Sequence, residues 1–274
     1  MEGGGFCRMG SLPVVARAAL HRWEEPCISG PSGSGAVFFS GCTLACRYCQ
    51  NFDLSRGRVG QAVTPRRLSE IFRALEGEGA STLSLITGTQ FVPAILDALE
   101  RYRPNIPVVW NTSGYESLQT LALLQGAIDV YLPDMKYWDG RMAGLLSGAP
   151  DYPEVARAAI AEMRRQTGAA RYDDRGILVR GTQIRHLVLP GLTGDAMRIL
   201  AWIADTLPDT PVSLMGQYVP CGAAATVPGL NRRLSRREYA RVVAHMDAIG
   251  LSGYRQRPGA ADTAFIPAFD GTGV

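Results

Sequence analysis

The run Phe38-Phe39-Ser40-Gly41-Cys42-Thr43-Leu44-Ala45-Cys46-Arg47-Tyr48-Cys49-Gln50-Asn51 decides how the rest of the chain reads. Three of the six cysteines fall within eight residues, spaced C-x3-C-x2-C. Crowding of this kind suits a metal or cluster site better than a disulfide framework. Thiolates are soft ligands, fit for iron–sulfur clusters and for zinc. Four of them would close every iron of a [4Fe–4S] cube; three leave one iron with open positions, the feature that separates a catalytic metal site from a structural one. On this reading Cys42, Cys46 and Cys49 are the ligands of an open cluster. Two competing readings are a structural zinc site completed by His21 or another cysteine, and a chance grouping. Neither accounts for the triad's place directly after the apolar run 36–40 (AVFFS), which reads as a strand, or for the aromatic Tyr48 before the last cysteine.

Outward from this run, strands and helices alternate. Thr64-Pro65 gives an N-cap and a first-turn proline to a helix carrying Leu68, Ile71, Phe72 and Leu75 at helical spacing, ended by Gly77 and Gly79. Strands are expected at 82–87, 106–110, 128–132, 183–189 and 211–215, and helices at 92–101, 117–124, 153–166, 195–206 and 236–249. Six strands alternating with helices argue for parallel βαβ units with right-handed crossovers. Two short of eight, they predict an α/β fold of the open, partial (β/α)6 TIM-like barrel kind, with its site at the strands' C-terminal ends. The expected organisation is an N-terminal extension at 1–30, the barrel at 31–250 and a Gly/Pro-rich tail at 251–274.

Bulk properties agree with a single large domain. The 274 residues carry a net charge of +3 and are 46% hydrophobic, so nothing calls for nucleic acid or an acidic membrane. No apolar stretch is long enough to span a membrane, no signal-peptide core is present, and the unpaired cysteines point to the reducing cytoplasm. Of 28 basic residues, 27 are Arg and one is Lys, Lys136. A chain that uses Arg almost everywhere has a reason to be examined where it does not.

C-x3-C-x-aromatic-C after a first strand resembles the signature of the radical S-adenosylmethionine superfamily. Further segments, ALHRWEEPCISG (19–30), WNTSGYES (110–117), DVYLPDMKYWD (129–139), LSGAPDYPEVA (146–156) and RHLVLPGL (185–192), resemble uncharacterised iron–sulfur proteins related to pyruvate formate-lyase activating enzyme. The resemblance implies a radical SAM core, a [4Fe–4S] cluster, S-adenosylmethionine chelated to the open iron, an electron donor such as flavodoxin or ferredoxin, and hydrogen abstraction from a substrate. It also implies an activase acting on a protein substrate; modification of a small molecule or peptide, and a non-catalytic metal-binding module, are the alternatives.

The same resemblance assigns cofactor contacts to Tyr48 and to the strand ends. After the second strand, Thr87 and Thr89 stand where relatives carry Gly-Gly-Glu. After the third, Asn111 and Thr112 stand where activating enzymes place Asp-Thr and hold a monovalent cation; Asn111 lacks the charge. After the fourth, Asp134 and Lys136 match Asp-x-Lys, and alternation points both to one side, away from Met135. Arg185 matches an arginine near the cofactor. His186 reads as a packed residue, Gln217 or Tyr218 as a weak contact, and Cys27 and Cys221 as small buried hydrophobes; Glu24 and Glu25, upstream of the barrel, read either as a cap on its mouth facing substrate or as a solvated loop, the latter preferred.

Overall fold

A computed structural model describes residues 5–57, 59–256 and 267–274. Eleven strands and nine α-helices follow one another among them. The strands are β1 (Val14–His21), β2 (Ser34–Phe39), β3 (Gln61–Ala62), β4 (Leu83–Ile86), β5 (Val108–Thr112), β6 (Val130–Pro133), β7 (Arg171–Tyr172), β8 (Leu178–Thr182), β9 (Ile184–Leu187), β10 (Val212–Met215) and β11 (Gly253–Arg255). The helices are α1 (Pro26–Ser29), α2 (Phe52–Gly57), α3 (Pro65–Gly77), α4 (Val92–Arg101), α5 (Leu118–Leu124), α6 (Gly140–Ser147), α7 (Tyr152–Thr167), α8 (Thr193–Thr206) and α9 (Arg236–Ala248).

The central strands β2, β4, β5, β6 and β8 are parallel neighbours, and β9, β10 and β11 form a second parallel sheet. β2, β4 and β6 are buried along their whole length and mostly apolar, as a sheet covered by helices requires, with Ser34 and Ser84 the polar exceptions. β6 joins the two sheets. Val130 and Tyr131 pair with Gly181 and Thr182 of β8, and beyond the strand's end Asp134 bridges Arg185 of β9. The result is the partial α/β barrel expected, six parallel units wide, with its strand C-termini on one rim.

Helix positions follow from local chemistry. Thr64 accepts from the Arg67 amide at 3.2 Å and Pro65 opens α3, whose Leu68, Ile71, Phe72 and Leu75 are buried. Each such side chain contributes roughly 1.5–3 kcal/mol of burial. Ser235 and Glu238 close a capping box at the head of α9.

Several boundaries differ from expectation. The strand expected at 183–189 is β9, shorter at both ends, and it is preceded by β8, which was not expected; between them the Gln183 amide donates to the Tyr131 carbonyl at 3.0 Å. β5 ends two residues later than expected, so Asn111 and Thr112 are strand residues rather than turn residues. β1 lies inside the segment that reads as an N-terminal extension and pairs antiparallel with β2 from Val15↔Phe39 to His21↔Ser34. β11, within the expected tail, extends the sheet beside β10. Residues 267–274 return to β1: the Ala18 amide donates to the Thr272 carbonyl and the Gly271 amide to the Ala16 carbonyl. No helix among the described residues is long and apolar enough to cross a membrane.

Candidate active site

The rim of strand ends surrounds a cavity of about 460 Å³, within the usual range of small-molecule sites. Cys42, Cys46 and Cys49 line it together with Tyr48, Thr87, Asn111, Thr112, Asp134, Lys136 and Arg185.

The cysteine loop leaves β2 through Gly41, whose φ of +86° favours glycine; a Cβ there would stand 2.4 Å from Met9. It is clamped from several directions. Gln90 donates its side-chain amide to the carbonyls of Ser40 and Gly41, at 2.9 and 3.1 Å. Arg56 donates to the Leu44 carbonyl at 2.6 Å. The end of α6 receives the Ala45 and Arg47 amides, and Ser147 Oγ donates to Cys46 Sγ at 2.9 Å. The Cys221 thiol reaches the Tyr48 carbonyl at 3.3 Å.

Burial, reinforced by the neighbouring Cys46, pushes the Cys42 thiol up to about 12 and Cys49 up to about 11, while Lys136 pulls both down. Thiols raised in this way, as Cys42 and Cys49 are, give up their protons when strong positive charge arrives, as iron supplies. Among the described residues no three His, Cys, Asp or Glu side chains converge tightly enough for a single metal ion. A cubane cluster spreads its thiolates wider than one ion does. An all-soft donor set, the mutual nearness of the thiols and the cavity before them fit a cluster with one open iron.

Beside the thiols a hydrogen-bonded chain of polar and charged side chains starts at Lys136. Asp134 takes Lys136 Nζ on Oδ2 at 2.5 Å and Arg185 Nε on Oδ1 at 2.8 Å. Arg185 also donates Nη2 to Asn111 Oδ1 at 2.6 Å, and Asn111 Nδ2 donates to Glu24 Oε1 at 2.7 Å. Burial disfavours the Asp134 carboxylate, yet Arg185 and Lys136 outweigh it and hold the group below its ordinary value. Burial likewise works against the Lys136 ammonium, and Asp134, then Cys46, overcome it and raise it. Both cations therefore stay charged in the cavity wall. Asn111 Oδ1 and both Asp134 oxygens are already occupied by these fixed cations, which leaves a monovalent cation without support.

The other expected contacts divide. Thr87 lines the cavity at φ +61°, a strained backbone for a β-branched residue, and is held by its amide on the Asn111 carbonyl and by Gln90 on its own carbonyl. Tyr48 lines it too, with its hydroxyl on Tyr137 and its ring edge-on to Tyr137 and Tyr218. Thr89 turns away from the cavity: its hydroxyl donates to Glu116 Oε1 at 2.7 Å. Thr112 lines the cavity, yet its hydroxyl goes to the same oxygen at 2.6 Å, as does Trp110 Nε1 at 3.1 Å. Glu116, 1% exposed, was invisible in the sequence; a lone carboxylate after a strand carries no signal of burial. Glu24 and Glu25, which read as a solvated loop in preference to a cap on the barrel's mouth, belong to the cavity wall. His186 is packed, its Nδ1 against the Met135 carbonyl at 2.6 Å, and Tyr218 spends its hydroxyl on the Leu230 carbonyl.

The family model of the Radical SAM superfamily matches residues 36–203, well over half of the chain. An uncharacterised protein of Methanocaldococcus jannaschii is 28% identical over 246 residues, covering 85% of this chain and 67% of that protein. A radical SAM methyltransferase from Sphaerobacter thermophilus is similar in structure, with a TM-score of 0.53 at 13% identity over 83% of this chain and 67% of that one. A domain of a pyruvate-formate lyase-activating enzyme from Bacteroides vulgatus gives 0.42 at 12% identity, over 70% of this chain and 91% of that domain. The likeness to the methyltransferase is one of fold.

Proposed function

The chain belongs to the radical SAM superfamily, and from that premise we propose that it holds a [4Fe–4S] cluster on Cys42, Cys46 and Cys49 and takes hydrogen from a substrate admitted to the same cavity. Membership implies the cluster, S-adenosylmethionine and an external electron donor; a flavodoxin or ferredoxin is the donor expected. Bound there, the two cofactors supply reductive sulfonium cleavage and a hydrogen-abstracting carbon radical.

The chain's own part is binding, orientation and exclusion of water. Lys136 places a cation beside the thiols, suited to a carboxylate of the cofactor. Asp134 fixes Lys136 and Arg185 in one arrangement, and Asn111 extends that arrangement to Glu24. Tyr48, Tyr137 and Tyr218 stack edge-on behind the loop and keep that wall dry.

One observation carries the reading: three thiols after the first parallel strand share a cavity with the chain's single lysine and its carboxylate partner. Anaerobic reconstitution with iron and sulfide, then assay for 5′-deoxyadenosine with reductant, tests it. Cys46→Ala abolishes the product on this reading. A chain holding one zinc and no cluster absorbance defeats it. The activase role rests on sequence resemblance alone. A glycyl radical on a co-expressed partner, seen by electron paramagnetic resonance, supports it; turnover of a small substrate without any partner protein supports the alternative.

A further inference from the structure

Charge is distributed unevenly around the cavity. Lys136 stands by the thiols, whose fields it shares, whereas Glu24 and Glu25 stand with Arg185. Of the carboxylates lining the cavity, Asp134 is matched by Lys136 and Arg185 directly. Arg255 also lines it but is bound to Asp247. Among the described residues that line the cavity, Glu24 and Glu25 are the carboxyl groups without an ion-pair partner.

Glu24 is held by three neutral donors from three adjacent strands. Ser84 Oγ and Asn111 Nδ2 reach Oε1 at 2.8 and 2.7 Å, and Ser34 Oγ reaches Oε2 at 2.5 Å. Neutral donors orient a carboxylate without cancelling its charge. Glu25 is more than nine-tenths buried, lines the same cavity, and its Oε2 has no partner among the described residues. A buried carboxyl oxygen without a partner is destabilising and calls for a reason. Arg185, the nearest cation, is already engaged by Asp134 and Asn111. Burial raises Glu25 above its ordinary value, partly opposed by Arg185 and by a hydrogen bond with Ser213.

We infer that Glu24 and Glu25 form a subsite for a cationic group of the substrate, an ammonium or a guanidinium. This deepens the proposed function and rests on the cavity being the reaction site. The positive group of the substrate is held at this wall, and the carbon chain attached to it extends into the cavity that the cysteines line.

Binding of methylguanidinium and n-propylammonium, with N-methylurea and n-propanol as neutral counterparts, tests the subsite by saturation-transfer NMR and competition on the full chain. The cations are expected to bind at least tenfold more tightly than the neutral probes. Glu24→Gln and Glu25→Gln are each expected to lower cation binding at least tenfold and to leave n-propanol binding unchanged, whereas Glu25→Asp keeps the preference for cations. The wild-type comparison needs no variant and stands even if a substitution unfolds the chain. Agmatine against Lys- or Arg-containing tripeptides then tells a small amine from a peptide side chain. Equal binding of charged and neutral probes overturns the inference. So does a Glu25→Gln protein that loses S-adenosylmethionine affinity with cation binding intact, because the carboxylates would then serve the cofactor. Cluster absorbance of the reconstituted wild type is read separately: its absence defeats the enzyme reading, while probe binding before reconstitution still reports on the subsite.

Discussion

Asp134 and Arg185 meet twice, once as the backbone bridge that joins the two sheets and once through their side chains at 2.8 Å. The seam of the barrel and the charge pair of the site are therefore one object. Asp134→Asn leaves two largely buried cations, Arg185 and Lys136, without their shared anion. A loss of roughly 3–5 kcal/mol is expected, because removing one partner strands the other's buried charge. Urea unfolding of the variant measures it; an unchanged midpoint would show that the pair does not hold the seam.

Lys136→Ala is expected to separate cofactor affinity from cluster assembly. The Asp134 carboxylate keeps Arg185, so the fold is retained, while the cation beside the thiols is lost. S-adenosylmethionine binding should weaken about 10- to 100-fold, about 1.4–2.8 kcal/mol, with iron content unchanged. Calorimetric titration of the reconstituted protein checks this, and full affinity in the variant would remove Lys136 from the site.

Iron content sorts the cysteines. Alanine at Cys42, Cys46 or Cys49 is expected to prevent assembly of the cluster. Cys27→Ala and Cys221→Ala should reconstitute like the wild type, since Cys27 is buried against Gln183 Oε1 at 2.8 Å and Cys221 donates its thiol to the Tyr48 carbonyl. Iron and sulfide analysis of the five proteins decides the matter.

Glu116 makes stability depend on pH. Burial raises it above its ordinary value of 4.5, outweighing the hydrogen bonds from Thr112, Thr89 and Trp110. The folded state thus holds this proton more tightly than the unfolded chain does. Stability should fall as pH rises from about 4.5 toward the raised folded value and level off above it. Glu116→Gln, neutral throughout, removes that slope. Thermal melts of both proteins between pH 4 and 8 (a range of about four units) compare them directly.

Much of this was legible beforehand. Thr64-Pro65 and the apolar spacing after it announce α3; the rule that sites sit at strand ends singles out Asn111, Asp134 and Lys136, the family resemblance adds Arg185, and the fold links the four in one chain of bonds. β1 escaped because VVARAALH lacks a clean alternation; its pairing with β2 gives it order that its own pattern does not. Thr89 misled because proximity along the sequence says nothing of direction, and a buried Glu116 claims its hydroxyl. For Glu24 and Glu25 the sequence leaves a cap on the barrel's mouth beside a solvated loop and favours the loop, because adjacent acids ordinarily signal solvent; the convergence of Ser34, Ser84 and Asn111 from three strands draws Glu24 inward.

Residues 270–274 seal the outer edge of β1 through contacts spanning some 250 positions, with Arg17 reaching both Asp270 and Thr272 at 3.1 Å. At ribosomal rates of about 5–20 residues per second, Ala16 and Ala18 wait on the order of ten to fifty seconds for the strand edge to be covered. During that interval the edge of β1 that these residues cover lacks its final partners. Chaperone attendance in the cell therefore bears on that stretch of synthesis.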